Sequence, residues 1–493
     1  MRYQDLGNGW TARVPAGWTS VELGPTFVRG EPLADPTRLL VRTYRDAEPA
    51  AALRELSRSD GIAATTREAD RSLGLLRWHR YHGRTTAAPK LPVELAVAKD
   101  GTTTYVVALT ARPGELGRLV ERALLPALDS FAAGRLAPGT SVLATPAPDP
   151  AYWPTAGWRS ASPGSQGMDG RQLGAMLAEI RAAKLPVDSV TVVRHGYVVL
   201  DATFGPFASG RLGAPFAAGP LHDLQSATKS VTSMLLGIAL HDGAASGVTA
   251  ATPLVTLAAR AHYAPEHTDA RKRAVTLEDL LTMQSGFAWR ESGYAYEPGT
   301  GNDVMGMLAT SNWTSYVVDR PTAAQPGTTF VYDTGTAHLV SAAVSLLTGR
   351  PAVVLAAGRL FGPLGIGDYR WPRSPEGITP GGFGLLMQPR DLAKLAFLYL
   401  HGGRWDGRQI VPADWVAQST TDHVADPLHE YGYLWWLDHS DGYAYMAGLY
   451  GQLAVVVPGK DLVAVFTAHF PASANANMVN RWLLERYVLP AAD

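Results

Sequence analysis

Two strand-like segments that must meet across more than two hundred residues constrain this chain more than any other feature. DSVTVVRHGYVVLDATFG, residues 188–205, reads as two strands around a His195-Gly196 turn. GYAYMAGL, GQLAVVVPGKDL and VAVFTAHF then close the chain between residues 442 and 470, with Pro458-Gly459-Lys460-Asp461 as a turn. Between them the pattern is helical to about residue 430. An isolated hairpin is marginal in water, so the two ends have to find each other. The expected fold is α+β: one antiparallel sheet built from both ends, flanked by helices, with a helical subdomain inserted. MDGRQLGAMLAEIRAAKLP before the first strand is a helix capped by Asp169, and NMVNRWLLERYVL after the last is another.

A chain of 493 residues exceeds one core, and its start reads as a separate unit. Residues 1–133 form a small α+β domain. PVELAVAKDGTTTYVVALTARP is a hairpin turning at Asp100-Gly101. GELGRLVERALLPALDSF carries Leu116, Leu119, Val120, Leu124 and Leu128 at helical spacing, with Pro126 as a candidate kink. The pattern is loosely similar to the small PsbP-like and Mog1-like sandwich domains. His79 and His82 in WHRYH lack a third ligand nearby and read as surface strand positions. Residues 134–154, rich in Pro, Ala, Gly and Thr, read as a semi-extended linker, and residues 155–493 as the second domain.

The composition excludes several function classes. There is no cysteine, so thiol nucleophiles, disulfides and cysteine-ligated metals are out. Net charge is −1, which leaves no basic excess for a phosphate backbone and makes nucleic acid an unexpected partner. No apolar run reaches transmembrane length. MRYQDLGNGW is not a signal peptide, so the protein is expected to be cytoplasmic, or bacterial and extracytoplasmic if an export signal lies outside this sequence. Nothing in the pattern fixes an oligomeric state.

Chemistry concentrates in LHDLQSATKS, residues 221–230. The chain has seven lysines, and only Lys229 has a serine, Ser226, three residues before it. SVTSMLLGIALHDG, closed by Gly243, is a helix that puts both at its first turn, on one face. The positive end of the helix and burial both lower a lysine pKa, and the same end offers N–H groups to an oxyanion. On spacing alone two readings stand: Ser226 caps a helix beside a solvated lysine, or it is a nucleophile with Lys229 as base.

Six stretches in order change the balance: HDLQSATKSVTSMLLGIALHDG, VTLEDLLTMQSGFAW, QPGTTFVYDTGTAHLVSAAVSLLTGR, LFGPLGIGDYRW, GFGLLMQPRDLAKLAFLYLHGGRWDGRQIVPADWV and AGLYGQLAVVVPGKDLVAVF. Together they resemble the serine β-lactamase-like hydrolase family, with class C β-lactamases, D-alanyl-D-alanine peptidases, family VIII esterases and nylon-oligomer (6-aminohexanoate-dimer) hydrolases. The resemblance runs from Tyr152 to the C-terminus. It implies Ser226 as the acylated serine, Lys229 as the lysine that deprotonates it and Tyr332 of FVYDTG as the proton shuttle. It implies an oxyanion hole from the N–H groups of Ser226 and Leu449, with Gly448, Tyr450 and Tyr445 beside the substrate. Tyr294, in the aromatic loop 287–299, matches a tyrosine that closes over substrate.

The sequence departs from the family at two places. Thr334 stands for the asparagine of Tyr-x-Asn. Where Lys-Thr-Gly or His-Thr-Gly is expected, Tyr445 or Met446 falls at the cationic position. Without that cation a β-lactam or D-Ala-D-Ala carboxylate loses its partner. The expected function is therefore a serine hydrolase of small esters or amides, needing no cofactor and no metal. The alternatives are a penicillin-binding peptidase or β-lactamase, and a non-catalytic binding protein on the same fold. Trp435 and Trp436 suit a cleft wall or a strand core equally. No Gly-x-Ser-x-Gly elbow occurs, His429 has no partner at metal spacing, and the Gly-rich stretch at Gly381 does not sit between strand and helix as a dinucleotide loop would.

Overall fold

The computed structural model describes the chain apart from residues 1, 6–9, 15–17, 21–25, 30–35, 46, 74–75, 87–89, 101–102, 134–140, 205–220, 243–246, 267, 293, 425–429, 440, 471–475 and 493. The Gly101 turn, the Gly243 helix stop and His429 lie outside the described residues. Two compact units emerge, divided between residues 136 and 137.

In the first unit an antiparallel sheet runs in the order 18–20, 26–29, 38–45, 103–110, 92–100, 76–85, 62–67. The helix Pro49–Ser59 buries Ala52 and Leu56 against Leu40, Val93, Leu95, Val97, Val106 and Ala108 of the sheet. Pro126 follows a π turn, Val120–Leu124. Proline has no N–H for the ladder, and the extra residue of the π turn absorbs the mismatch.

The second unit has the sheet expected from the two ends of its sequence. Its order is Tyr197–Thr203, Val187–Arg194, Leu462–Ala468, Gln452–Val457, Tyr443–Gly448, Trp436–Asp438, antiparallel throughout. His195 and Gly196 both take positive φ, +50° and +81°, as a tight hairpin requires. Both sheet faces are covered, which explains the near-continuous apolar strands. Met446, Ala454, Val456, Val463 and Val465 meet the helical region. Leu453, Val455, Ala464 and Phe466 meet Met176, Ile180, Leu484 and Val488 of the terminal helices. Among the described residues no single helix is long and apolar enough to cross a membrane.

The stretch expected as a linker differs from residue 141 onward. Ser141 bridges Thr421, and the Ala147 N–H donates to Leu400 O at 2.9 Å. Leu143 is buried in the second unit's core, and Trp153 packs on Phe397 and Trp405. Prolines kept this segment out of helix and strand; its isolated apolar side chains still had surface to bury.

Candidate active site

Ser226 sits in a single 3-10 turn, Gln225–Ala227, that runs directly into the helix Thr228–His241. This helix is buried on every side, with Val231, Met234, Leu235 and Ile238 in the core and a Cβ at Gly237 meeting the Trp415 ring. Its hydroxyls are spent inward: Ser230 Oγ donates to Leu434 O at 2.7 Å and Thr232 Oγ1 to Gly381 O at 2.8 Å. A helix fixed this way holds its first turn in place. Gln225, just before the serine, has φ +49°, a strained value for a residue with a side chain. Asp223 pins it, accepting from Gln225 N at 3.0 Å and from Gln225 Nε2 at 2.5 Å. Burial raises the Asp223 carboxyl to about 6.

Lys229 is 2% exposed. Its Nζ has three oxygen partners: Ser226 Oγ at 3.0 Å, Thr334 Oγ1 at 2.9 Å and Gly382 O at 2.9 Å. It also lies 4.8 Å from the centroid of the Tyr332 ring. Burial lowers its pKa to about 8, against the opposing pull of Glu291 and Asp333. Tyr332 moves the other way: burial and the Glu291 charge raise its phenol, while its hydrogen bond with Ser226 lowers it. One group is thus made a base within reach of neutral pH and the other is held as an acid.

Thr334 opens the helix Thr334–Thr348, and Tyr332 lies two residues before it. Asp333 caps it, its carboxylate accepting from Thr336 N at 3.0 Å, and Gly349 ends it at φ +65°. The Gly-rich stretch has a purpose that composition did not reveal. A Cβ at Gly381 would overlap the Ala337 carbonyl, and one at Gly382 would lie 2.6 Å from Thr334 Cγ2. Only glycine lets this strand of backbone approach closely enough for Gly382 O to accept from Lys229.

The oxyanion residue expected at 449 lies beside the serine turn. Gly448 ends its strand against that turn, where a Cβ would crowd Leu224 O and come 3.1 Å from Gln225 Cβ. Leu449 and Tyr450 follow, both half-buried, with Tyr450 at φ +65° and its carbonyl accepting from Phe470 N at 3.1 Å. Asn480 Nδ2 donates to Gly451 O at 2.6 Å and braces the turn from behind.

One expectation needs correction, and the structure places two further candidates. Tyr445 is not a cleft residue: it is 3% exposed, packs in the core with Tyr443 and Phe466, and its phenol accepts from Arg481 at 3.2 Å. Strand alternation sends it there, and sends Met446, fully buried, to the other face. Tyr294 is 40% exposed, and the same loop carries Tyr296, whose phenol donates to Glu291 at 2.9 Å. The tryptophan pair divides by alternation: Trp435 is buried and stacked on Tyr399, whereas half-buried Trp436 stacks on Tyr332 at 5.8 Å.

Sequence reasoning missed Glu291. It is 3% exposed and accepts four hydrogen bonds: from Trp289 Nε1 at 2.8 Å, Thr334 N at 2.8 Å, Thr334 Oγ1 at 2.6 Å and Tyr296 at 2.9 Å. Its neighbours include Arg290, Ser292 and Glu297, so no local signal set it apart from a solvated glutamate.

Metal-compatible groupings lie elsewhere. Glu68, His82 and Glu94 offer ligand atoms within 4.8 Å of one another, as do Asp438, Asp441 and Glu485. In the first, His82 contacts both carboxylates and Arg80 pairs with both. In the second, Arg481 neutralises Asp438 and Glu485. Each reads as an ion-pair network. His79 pairs separately with Asp70 at 2.9 Å.

The Beta-lactamase family model matches residues 165–487. Solved structures are similar over about two thirds of the chain. One is described as a 6-aminohexanoate-dimer hydrolase from Bacillus anthracis (TM-score 0.54, 18% identity, 69% of this chain and 89% of that one). Another is a family VIII carboxylesterase (0.51, 15%, 67% and 98%). A third is described as a β-lactamase from Bacteroides dorei (0.51, 17%, 66% and 99%). No curated protein matches the chain in sequence.

Proposed function

Because the chain belongs to the Beta-lactamase family, we propose that it is a serine hydrolase acting through an acyl-enzyme on small, uncharged esters or amides. The observation that carries this reading is Lys229 Nζ, buried and 3.0 Å from Ser226 Oγ. Neutral Lys229 takes the Ser226 proton as Oγ attacks the carbonyl carbon. The N–H groups of Ser226 and Leu449 receive the oxyanion. Tyr332 gives its proton to the leaving alkoxide or amine, which would otherwise depart poorly, and recovers the proton that Lys229 took from Ser226. Water then attacks the acyl carbon and frees Ser226. No step calls for a metal or cofactor.

The reading for uncharged substrates rests on what surrounds the serine. Tyr332, Trp436, Tyr296, Leu449 and Tyr450 are half-buried and carry no charge. The strand before the turn presents Tyr445 and Met446, both in the core, where a substrate carboxylate would need a cation. The similar proteins described as a 6-aminohexanoate-dimer hydrolase and a carboxylesterase fit this class.

The test is hydrolysis of p-nitrophenyl butyrate with labelling by a fluorophosphonate probe. Wild type is expected to turn over the ester and to be labelled at Ser226, and Ser226→Ala to do neither. Near-full activity of Ser226→Ala would sink the assignment. A fluorescent penicillin should label wild type weakly; strong labelling would favour the peptidase or β-lactamase reading. A folded wild type inert to fluorophosphonate would favour a binding protein.

A further inference from the structure

We propose that Glu291, acting through the Thr334 hydroxyl, is a positioning residue that fixes which way the proton moves between Ser226 and Lys229. The inference rests on Ser226 being the nucleophile. It also accounts for the missing asparagine of Tyr-x-Asn.

The argument is one of donors and acceptors. An ammonium at Lys229 has three protons, and three oxygens surround it: Ser226 Oγ, Thr334 Oγ1 and Gly382 O. The carbonyl can only accept. A threonine hydroxyl has one proton to give, and Thr334 gives it to Glu291 Oε1 at 2.6 Å. Toward Lys229 it too can only accept. When Lys229 becomes a neutral amine, its two remaining N–H bonds are held by Gly382 and Thr334. Its single lone pair must face Ser226. An asparagine carries acceptor and donors on one amide, so it needs no second residue to orient it; a threonine does.

Glu291 is itself locked. Its other oxygen accepts from Trp289 Nε1 and Thr334 N, two groups that cannot reverse. Its charge also acts on the base. The two hydrogen bonds joining them, 2.9 and 2.6 Å, keep Lys229 and Glu291 within about 5.5 Å. The other titratable groups facing Lys229 are Asp333 and Tyr332; Tyr296 faces Glu291 from its own loop, with Tyr450 beyond it.

Glu291→Gln tests this. The fixed N–H donors hold the amide oxygen, so the amide NH₂ faces Thr334 Oγ1 and the phenol of Tyr296, both able to accept. Thr334 then turns its proton toward the Lys229 lone pair and competes with Ser226. The variant is isosteric and keeps every hydrogen-bond contact of the carboxylate, with half-buried Tyr296 turning its proton to solvent. Two changes are expected in the pH profile of kcat/KM for p-nitrophenyl butyrate. The high-pH plateau falls about tenfold, and the acidic limb moves one to two units, roughly, to lower pH because the carboxylate charge is gone. Thr334→Val should lower the plateau with the limb nearly in place, since the charge remains, and Thr334→Ser should restore wild-type rates. A purely structural role would leave the limb where it is. Glu291→Gln with an unmoved limb and a plateau within threefold of wild type would overturn the proposal. If Glu291→Gln does not fold, Thr334→Val with wild-type rates would overturn it as well. A wild-type chain that hydrolyses no ester and takes no fluorophosphonate would instead bring down the underlying reading of Ser226.

Discussion

Gly448→Ala should disable the oxyanion hole while leaving Ser226, Lys229 and Tyr332 chemically intact. Gly448 ends the strand Tyr443–Gly448 where it meets the serine turn. A methyl there would overlap the Leu224 carbonyl and lie 3.1 Å from Gln225 Cβ and 3.0 Å from Gln452 Cβ. Neither neighbour can yield cheaply, since Leu224 O is backbone and Gln225 is already strained at φ +49°. The strand and the turn must part by about 1 Å to restore ordinary contact. Oxyanion donors act at about 2.7–3.1 Å, so that displacement takes the Leu449 N–H to nearly 4 Å, roughly, and removes it as a donor. The expected cost is about 3–4 kcal/mol, or roughly 10²–10³ in kcat. Steady-state hydrolysis of p-nitrophenyl butyrate reads it, with a thermal melt to establish that the variant is folded. Binding of an alkyl boronate, which places an oxygen in the same hole, should weaken in parallel. A folded Gly448→Ala with kcat within threefold of wild type would refute the placement of the hole at Ser226 and Leu449.

Other consequences follow from the same geometry. The Lys229 pKa, lowered to about 8, places the acidic limb of kcat/KM there: below it the ammonium cannot accept the serine proton, and the rate should climb about tenfold per pH unit before levelling. The sign for stability is the same, because an unfolded lysine keeps its proton to about 10.4. Folding therefore releases a proton between those values, and wild type should gain stability relative to Lys229→Met as pH rises from 8 to 10, read by urea unfolding. Tyr332→Phe keeps the ring stacked on Trp436 but loses the phenol; kcat should fall by about 10²–10⁴ with the melting temperature nearly unchanged. Leu143→Ala should cost about 2–5 kcal/mol in the second unit, since this buried side chain belongs to its core; no effect on the melt would restore the linker reading.

The parts legible in the sequence share a property: their physics is local. Ser226 and Lys229 could be paired because three residues on a helix fix their distance within narrow limits. His195-Gly196 marked a hairpin because few residue pairs tolerate two positive φ values. The separated strand segments forced a sheet joined from both ends. Asp169 illustrates the same rule at a helix start, where the cap is written beside the helix it caps.

What only the tertiary structure decided is how distant segments share one small volume. Lys229 draws its partners from Thr334 and Gly382, 105 and 153 residues away, and the Glu291 that orients Thr334 lies 43 residues before it. Nothing local distinguishes Glu291 from a solvated glutamate, Tyr296 from Tyr294, or Trp436 from Trp435. Side-chain direction along a strand or loop depends on register, and register is set by what packs on either face. The sequence by itself put Ser226 and Lys229 one helical turn apart and, through its family resemblance, nominated them with Tyr332 as nucleophile, base and proton donor. The fold determined that Thr334 gives its proton to a buried Glu291 and accepts from Lys229, because a hydrogen bond's direction depends on every other partner its atoms have.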